Sequence, residues 1–319
     1  MKKIFFALAA VVALASCANE ETVMEAPQQE IQFGNVFVDN ATRVDYSNEN
    51  ALQGFTVYGT VTGKGNTVAL FNGDGATVER KGAAYLAAWT CLESEYWVPG
   101  ADYKFAAVVD ATASVDGGLP TTLTTVADDA QTGNMNLKDM LYAEASVDKA
   151  TADQGIVNFT FSHLLSKVKF TVTSDAPGDY KHTVKNITVA NYDSGTYYIQ
   201  TVDENAAGTW AGGTAKNVEF AEIANVTNNT GAMSNAEKLL VPNAGTFKVT
   251  FTVDLYKGST LIGTQNYEKY VTIEDGETPV GLQKGHAYNF TITCSMGNPI
   301  QFSVTNDPTW SDGGNVNIQ

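Results

Sequence analysis

The sequence predicts an all-β fold built in two parts. Apolar and polar residues alternate with a period of two in many stretches, most clearly from Phe247 to Leu255. The same alternation runs from Phe159 to Thr173 but slips by one residue near Ser166, as expected where a strand bulges or passes from one sheet into another. The chain has 319 residues, which suffices for two domains of about 150 residues each.

Composition and charge narrow the class of protein. Hydrophobic residues make up 44% of the chain and charged residues 17%, which is typical of a globular protein rather than a disordered one. The formal net charge is -16 at pH 7. Such an acidic surface repels phosphate backbones, so we expect no nucleic-acid partner.

The first residues form a leader that predicts export and lipidation. A positively charged start precedes an apolar run from Ile4 to Ala15, which is too short to span a bilayer. The run ends in the letters LASC, and this ending resembles the lipobox of bacterial lipoproteins. We therefore predict a lipoprotein signal peptide over residues 1–16, a lipid attached to Cys17 and a polar tether over residues 17–30.

An acidic pair, Glu20 and Glu21, lies just behind Cys17. It resembles the surface-export signal of lipoproteins in Gram-negative anaerobes and favours a lipid anchor on the outer face of the outer membrane. The alternative is a solvated charged tether on the periplasmic face of that membrane.

Residues 31–173 are predicted to form an N-terminal β-sandwich. Three stretches before Phe159 alternate like strands: Ile31–Val38, Phe55–Val61 and Tyr103–Val109. After these stretches the apolar residues recur at helical intervals, so about two helical turns are expected there. The residues with this spacing are Leu137, Met140, Leu141 and Ala145.

Residues 180–319 are predicted to form a C-terminal β-sandwich. The letters SDAPGD at residues 174–179 break the alternation and have the composition of a linker. The stretch Val98–Phe105 resembles Val241–Val249, and this internal echo is consistent with two related halves.

The positions of Cys294 and His163 in the sequence indicate side chains packed in a core rather than a disulfide or a metal ligand. Cys91 and Cys294 are far apart in the sequence, and Cys294 continues an alternating strand, so we expect a buried free thiol there rather than a disulfide. His163 is in phase with Phe159 and Phe161, which is more typical of a packed core histidine than of a metal ligand.

No sequence motif predicts catalysis, a cofactor or a metal. The chain has no phosphate-binding glycine loop, no nucleophile elbow and no zinc-protease motif. We therefore predict that the protein is not an enzyme. A glycosidase pair remains open as an alternative, because paired carboxylates need have no fixed spacing in the sequence.

Several large aromatic residues allow two interpretations. They either fill a core, which is their commoner role, or form an exposed platform that stacks on sugars. The residues concerned are Trp89, Trp97, Tyr197 and Trp210.

A set of short motifs, taken in order, resembles the fimbrillin family of lipoprotein subunits of type V pili and related surface proteins. Each motif is weak alone, but their order is fairly specific, and together they cover nearly the whole chain. The motifs are the lipobox, Tyr96-Trp97 with Tyr103-Lys104-Phe105, Lys138–Ala143, Phe161–Val168, Leu240-Val241-Pro242, Lys284–Tyr288, and the ending from Ile300-Gln301-Phe302 to Trp310.

This resemblance implies two transthyretin-like β-sandwich domains in tandem and no catalysis. It also implies a lipid-anchored precursor that a surface trypsin-like protease cuts after an arginine behind the first strand. Loss of that strand opens a groove that a terminal strand of a neighbouring subunit fills. The matching positions are the strand Ile31–Val38, with Ile31, Phe33 and Phe37 in phase, the cut site Arg43 and the donor Asn315–Gln319.

These expectations define one function and one rival. The first is a structural subunit of cell-surface fimbriae that supports adhesion, with other fimbrial subunits as partners and a host or bacterial surface glycan or protein as target. The rival is a monomeric glycan-binding lipoprotein. Arg43 could also be an ordinary loop charge, and the sequence leaves open a stalk, tip or anchor position.

Overall fold

The structure, a computed structural model, describes residues 29–38, 52–82, 88–127, 137–151, 154–199, 208–275, 278–306 and 316–318. The first half of these residues forms β1 (Phe33–Val38), β2 (Gly54–Gly63), β3 (Asn66–Ala69), β4 (Ala76–Arg80), β5 (Trp89–Cys91), β6 (Asp102–Val109), β7 (Ala111–Asp116), β8 (Leu119–Thr125), β9 (Leu141–Val147), β10 (Val157–His163), β11 (Ser166–Ser174) and β12 (Tyr180–Tyr192).

The remaining strands follow in the second half of the chain. They are β13 (Gly195–Tyr198), β14 (Thr209–Gly212), β15 (Ala215–Phe220), β16 (Ile223–Val226), β17 (Met233–Ser234), β18 (Lys238–Leu240), β19 (Phe247–Lys257), β20 (Thr260–Asp275), β21 (Thr278–Pro279), β22 (Ala287–Cys294), β23 (Gln301–Asn306) and β24 (Val316–Ile318). The predicted all-β class is therefore confirmed, and the strand predicted from Phe247 to Leu255 is β19.

The N-terminal sheet has the strand order β1-β10-β9-β6-β2-β4-β5, with β3 paired to β2. Its strands alternate apolar and polar residues, so one face buries an aromatic-rich core. The largest side chains of this core are Phe33, Phe55, Phe71, Trp97, Tyr103, Phe105, Phe159 and Phe161.

The slip in the alternation near Ser166 marks a change of sheet. β10 ends at His163 and pairs with β9 and β1, whereas β11 begins at Ser166 and pairs in parallel with β22. Leu164 and Leu165, between the two strands, are buried. One of the two outcomes expected from the sequence, a strand that leaves one sheet and enters another, is confirmed.

The C-terminal half contains two sheets that enclose a second core. One has the order β17-β11-β22-β23, with β18 paired to β11; the other has the order β15-β12-β19-β20-β21, with β16 on β12 and β24 on β20. The core between them includes Phe170, Phe251 and Phe290. β11 thus pairs with C-terminal strands, although the predicted N-terminal domain extends to residue 173. The division into two domains at residues 174–179 stays a prediction.

A four-stranded sheet combines strands from both predicted halves. Its order is β14-β13-β8-β7, and β8 pairs with β13. A third apolar cluster lies beside this sheet and includes Leu123, Leu165, Tyr197 and Val241. This cluster holds residues from both predicted halves in one packed unit.

The helical turns expected from Leu137 to Ala145 are wrong. Leu141–Val147 is strand β9, which pairs with β6 along its whole length and with β10 at one end. Leu141 and Ala143 are buried and Glu144 is exposed, so the same residues also fit a period of two. Pairing with strands on both sides decides between the two periodicities. Within the described residues, helical conformation occurs only in a 3-10 turn at Phe71–Gly73.

The two cysteines that the structure describes are both free. Cys294 is fully buried, as expected from its place in the alternation. Burial, and then the charge of Asp175, raises the pKa of its thiol to about 12. In the described part of the chain, no helix has the length and apolar character needed to cross a membrane.

Candidate functional site

The candidate site is the slot occupied by strand β1 and the residues that lead into it. One side of the slot is β10, which pairs with β1 in parallel through Phe33 opposite Val157 and Val38 opposite Phe161. The backbone N–H of Val157 also donates to the carbonyl of Gln32 at 2.8 Å.

The other side of the slot is the segment that follows β5. The N–H of Ile31 donates to the carbonyl of Glu95 at 2.8 Å, and the N–H of Trp97 donates to the carbonyl of Gln29 at 3.0 Å. These bonds form an antiparallel bridge between Glu30 and Tyr96. The β1 segment therefore connects the two sides of the N-terminal sheet, and its loss would leave backbone donors and acceptors without partners on both sides.

The floor of the slot is a cluster of phenylalanine rings beneath Phe33. The Phe33 ring stacks on Phe159 with ring centroids 5.9 Å apart and meets the edge of Phe105 at 5.7 Å. A third ring, Phe71, lies 6.3 Å away. Phe33 is 5% exposed and Ile31 is 3% exposed. Burying each of these side chains stabilises the closed slot by about 2 kcal/mol.

The pairing of β1 is weaker than that of a central strand. Parallel pairs are slightly less stable per residue than antiparallel pairs, and the register of β1 against β10 shifts between Gly34 and Phe37. Gly34 also fits closely, because a Cβ there would lie 2.9 Å from Cγ2 of Ile156. A strand that enters this slot needs alternating apolar residues, and a side chain at the position of Gly34 would have to displace the Ile156 side chain.

The structure brings together only some of the residues predicted for the site. Ile31 and Phe33 lie in the slot, and the backbone of Phe37 pairs with Thr160. The predicted cut site Arg43 and the predicted lipidation site Cys17 lie outside the described residues. The roles of all five residues therefore stay predictions.

The predicted donor segment is described only at residues 316–318. These residues form β24, which pairs with β20 through Val271 opposite Ile318 and Ile273 opposite Val316. Val316 and Ile318 are two residues apart, as are Ile31 and Phe33 in the slot.

The aromatic residues considered for a sugar platform do not form an exposed row. Trp97 is 1% exposed and Tyr197 is 4% exposed, and both pack in apolar clusters. Trp89 and Trp210 are half-buried. The Lys284 ammonium donates to the Tyr197 hydroxyl at 2.9 Å, and this hydrogen bond helps to fix the position of the Tyr197 side chain.

Two histidines are buried and lie within hydrogen-bond distance of a polar side chain. His163 is buried, as expected, and its Nδ1 lies 3.0 Å from Oδ1 of Asp139. His182 is buried with Nδ1 2.8 Å from the Ser174 hydroxyl. Among the residues that the structure describes, no three His, Cys, Asp or Glu side chains are grouped to hold a metal ion.

Sequence reasoning missed the second side of the slot. In the sequence, Tyr96 and Trp97 stand out as large aromatic residues and as a motif of the family resemblance, and nothing in their pattern indicates that residues 95–97 bond to Gln29 and Ile31. The sequence feature that could have indicated this side of the slot is Trp97, because a buried tryptophan packs against an apolar cluster. The alternation of apolar and polar residues along β6 predicts that Phe105 is buried, and Phe105 lies in the ring cluster.

Comparisons with known proteins agree with this architecture. The sequence profile of the fimbrillin-like family matches residues 42–308. No curated protein matches the chain.

Two solved structures resemble the fold over most of its length. A fimbrial protein from Bacteroides vulgatus has a TM-score of 0.54 and 16% identity, with 87% of this chain and 98% of that chain covered. A predicted cell adhesion protein from Bacteroides uniformis has a TM-score of 0.52 and 18% identity, with 88% of this chain and 98% of that chain covered. At these identities the likeness is one of fold.

Proposed function

Because this chain belongs to the fimbrillin-like family, we propose that it is a structural subunit of cell-surface fimbriae that assembles by strand addition and supports adhesion. The fold it shares with a fimbrial protein and a predicted cell adhesion protein supports this role. Strand edges and an apolar slot then mediate its assembly, and we propose no catalytic role.

The observation that carries the proposal is the way β1 closes the N-terminal sheet. β1 is bonded to β10 on one side and leads from Ile31, which is bonded to Glu95 on the other, while Phe33 covers a floor of buried rings. Removal of this strand would expose unpaired backbone groups and apolar surface together. A strand from a second copy would then gain main-chain hydrogen bonds and side-chain burial in one step.

The donor and the processing step complete the proposal. We propose that a cut after Arg43 releases β1, and that the segment Asn315–Gln319 of a neighbouring copy fills the slot. Val316 and Ile318 have the spacing of the two buried residues they would replace. A lipid on Cys17 would hold the precursor on the outer membrane until the cut separates it from its anchor.

The adhesion target would be a protein or glycan on a host or bacterial surface. The rival function of a monomeric sugar-binding lipoprotein has less support, because Trp97 and Tyr197 are packed inside the molecule. We therefore propose no second function.

Limited trypsin treatment of the purified precursor tests the proposal. We expect a cut at Arg43, followed by a ladder of oligomers on a gel. The matched control is Arg43→Gln, which should form no ladder under the same treatment. A cut at Arg43 that leaves only monomers would contradict strand addition, whereas ladders from Arg43→Gln would show that the cut site is wrong.

A further inference from the structure

Two exposed surfaces of this chain are complementary in charge and are apolar in character. The first, which we call the slot lip, comprises residues 92–98 next to the β1 slot. The second, which we call the hairpin tip, surrounds the turn between β19 and β20. Its residues are Tyr180, Lys181, Tyr256, Lys257, Leu261 and Ile262.

The slot lip combines apolar side chains with carboxylates. Leu92 is 62% exposed, and Tyr96 and Val98 are close to half exposed. The exposed Glu93 lies among them, and the Asn72 amide donates to its carboxylate at 3.5 Å. Asp74, two residues after Asn72 in the chain, is also exposed. Burial raises the pKa of the neighbouring Cys91 thiol, a hydrogen bond from the backbone of Glu93 partly offsets this, and the negative charges of Glu93, Glu30 and Glu95 raise the pKa further.

The slot lip also borders the strand slot directly. The carbonyl of Glu95 and the N–H of Trp97 hold residues 29–31 in place. A subunit that touches the lip is therefore positioned beside the groove that β1 occupies. Release of β1 would leave Glu93, Leu92, Tyr96 and Val98 in the chain.

The hairpin tip combines apolar side chains with cations. Lys181, Tyr256 and Leu261 lie opposite one another across β12, β19 and β20, so their side chains share one face of the sheet. The Lys181 ammonium lies 5.9 Å from the centre of the Tyr256 ring, and the Lys257 ammonium lies 5.3 Å from the centre of the Tyr180 ring.

The exposure of the hairpin tip makes it available for contact. Leu261 and Ile262 are each 49% exposed at the end of a long hairpin. Lys257 and Tyr180 lie on the opposite face of the sheet from Lys181, Tyr256 and Leu261, so the tip carries an ammonium group on each face, held by a ring.

Two acidic residues lie next to the tip: the carbonyl of Asp179 accepts from the N–H of Gly258, and the Tyr256 hydroxyl contacts the carboxylate of Asp254. Asp254 is paired with Lys185, so the two lysines of the tip outweigh Asp179 and leave a net positive charge.

We infer that the hairpin tip of one copy docks on the slot lip of a second copy. The inference rests on the proposed assembly of subunits and adds to it the contact that brings two copies together before strands exchange. The two surfaces differ, so the contact is heterologous, and repeated contacts form a chain of copies rather than a closed dimer. Opposite charges steer the encounter, and the exposed leucine, isoleucine and tyrosine side chains supply apolar area.

Charge reversal tests this contact. The tip variant is Lys181→Glu with Lys257→Glu, and the lip variant is Asp74→Lys with Glu93→Lys. After trypsin treatment, each variant alone should form ladders about tenfold more slowly than the wild type, because steering by opposite charges is replaced by repulsion. An equimolar mixture should recover most of the wild-type rate, since each variant then meets a surface of opposite charge.

The matched control is Lys104→Glu with Lys216→Glu, which changes the net charge as much as the tip variant does but at exposed lysines outside both surfaces. It should assemble at the wild-type rate. Equal rates for all variants, or a mixture that stays slow, would overturn the inference while the wild-type ladder still supports strand addition.

Sedimentation of the uncut proteins separates the two proposals further. The mixture of tip and lip variants should associate at low salt, whereas each variant alone stays monomeric, and added salt should weaken the association. If the wild type forms no ladder but the uncut mixture associates, the proposal of strand addition is contradicted and the contact between hairpin tip and slot lip is supported. If the uncut mixture does not associate and the ladder rates are equal, the contact is excluded.

Discussion

The rings of Phe33 and Phe159 stack with an interplanar angle of 19° and a centroid separation of 5.9 Å. They lie on neighbouring strands that run in parallel, although most strand pairs in the N-terminal sheet are antiparallel. Together with the contact between Phe33 and Phe105 at 5.7 Å, this stacking links β1 to the apolar core of the sheet. Removal of β1 would leave the Phe159 ring facing an open groove.

Truncation of Phe33 should loosen β1. We expect Phe33→Ala to lower the free energy of unfolding by about 3–4 kcal/mol, because it removes a buried ring and leaves a cavity. Denaturant unfolding followed by fluorescence measures this change. Gln32→Ala is the control, since Gln32 is exposed, and it should change the free energy by less than about 0.5 kcal/mol. Equal effects of the two variants would mean that β1 is not packed as described.

Gly118 should tolerate no side chain. It has a φ of +93° in the turn between β7 and β8, and a Cβ there would lie 2.5 Å from the Cβ of Ala69 and 3.0 Å from the carbonyl oxygen of Gly59. Gly117→Ala is the matched control, because Gly117 also has a positive φ but has open space around it. Both variants should cost about 1 kcal/mol of backbone strain, and Gly118→Ala should cost a further 1–3 kcal/mol or so from the clash. Thermal unfolding of the pair measures the difference, and equal midpoints would contradict the close approach.

Removal of only one partner of the Lys185–Asp254 ion pair should destabilise the protein. The Lys185 ammonium lies 2.5 Å from Oδ2 of Asp254, and the Thr264 hydroxyl donates to Oδ1 at 2.7 Å. Burial alone would raise the pKa of the Asp254 carboxyl, but these hydrogen bonds outweigh burial and lower it. Lys185→Met should lower the unfolding midpoint, because it leaves a buried carboxylate without its cation.

The double variant Lys185→Met with Asp254→Leu separates charge from packing. It should recover part of the lost stability, since it removes the buried charge as well as its partner. A double variant less stable than Lys185→Met would indicate that Asp254 acts mainly through its hydrogen bonds to Thr264 and Tyr256 rather than through its charge.

His182 should make the protein less stable in mild acid. Burial lowers the pKa of its imidazole below 6.5, with a smaller opposing effect from Asp175. Below pH 6.5 the unfolded chain therefore binds a proton more readily than the folded chain, and stability falls as the pH drops from 6.5 toward the folded pKa.

The measurement is the unfolding midpoint from about pH 7.5 to about pH 5.5. His182→Asn keeps a polar atom near the Ser174 hydroxyl but cannot titrate, so its midpoint should depend less on pH than that of the wild type. An unchanged slope would assign the acid sensitivity to other groups.

The sequence predicted the parts of the fold that local patterns determine. The slip between His163 and Ser166 correctly indicated a change of sheet, because a shift of one residue moves every side chain to the other face. Leu141 and Ala145 were misread as helical, because a few apolar residues fit both periods and only the neighbouring strands decide between them. The parallel pairing of β1 with β10 and the bonds from residues 29–31 to residues 95–97 join distant segments, and no local pattern encodes such pairings.

A disulfide lock on the slot tests the central claim most directly. Glu30 and Tyr96 face each other in the antiparallel bridge that closes the slot, so Glu30→Cys with Tyr96→Cys in a Cys91→Ser background can form a disulfide. After trypsin treatment, the oxidised protein should keep β1 in place and form no ladder on a gel, and addition of a reductant should then produce ladders. Ladders of equal length and rate in the oxidised and reduced samples would contradict the claim that assembly requires β1 to leave its slot.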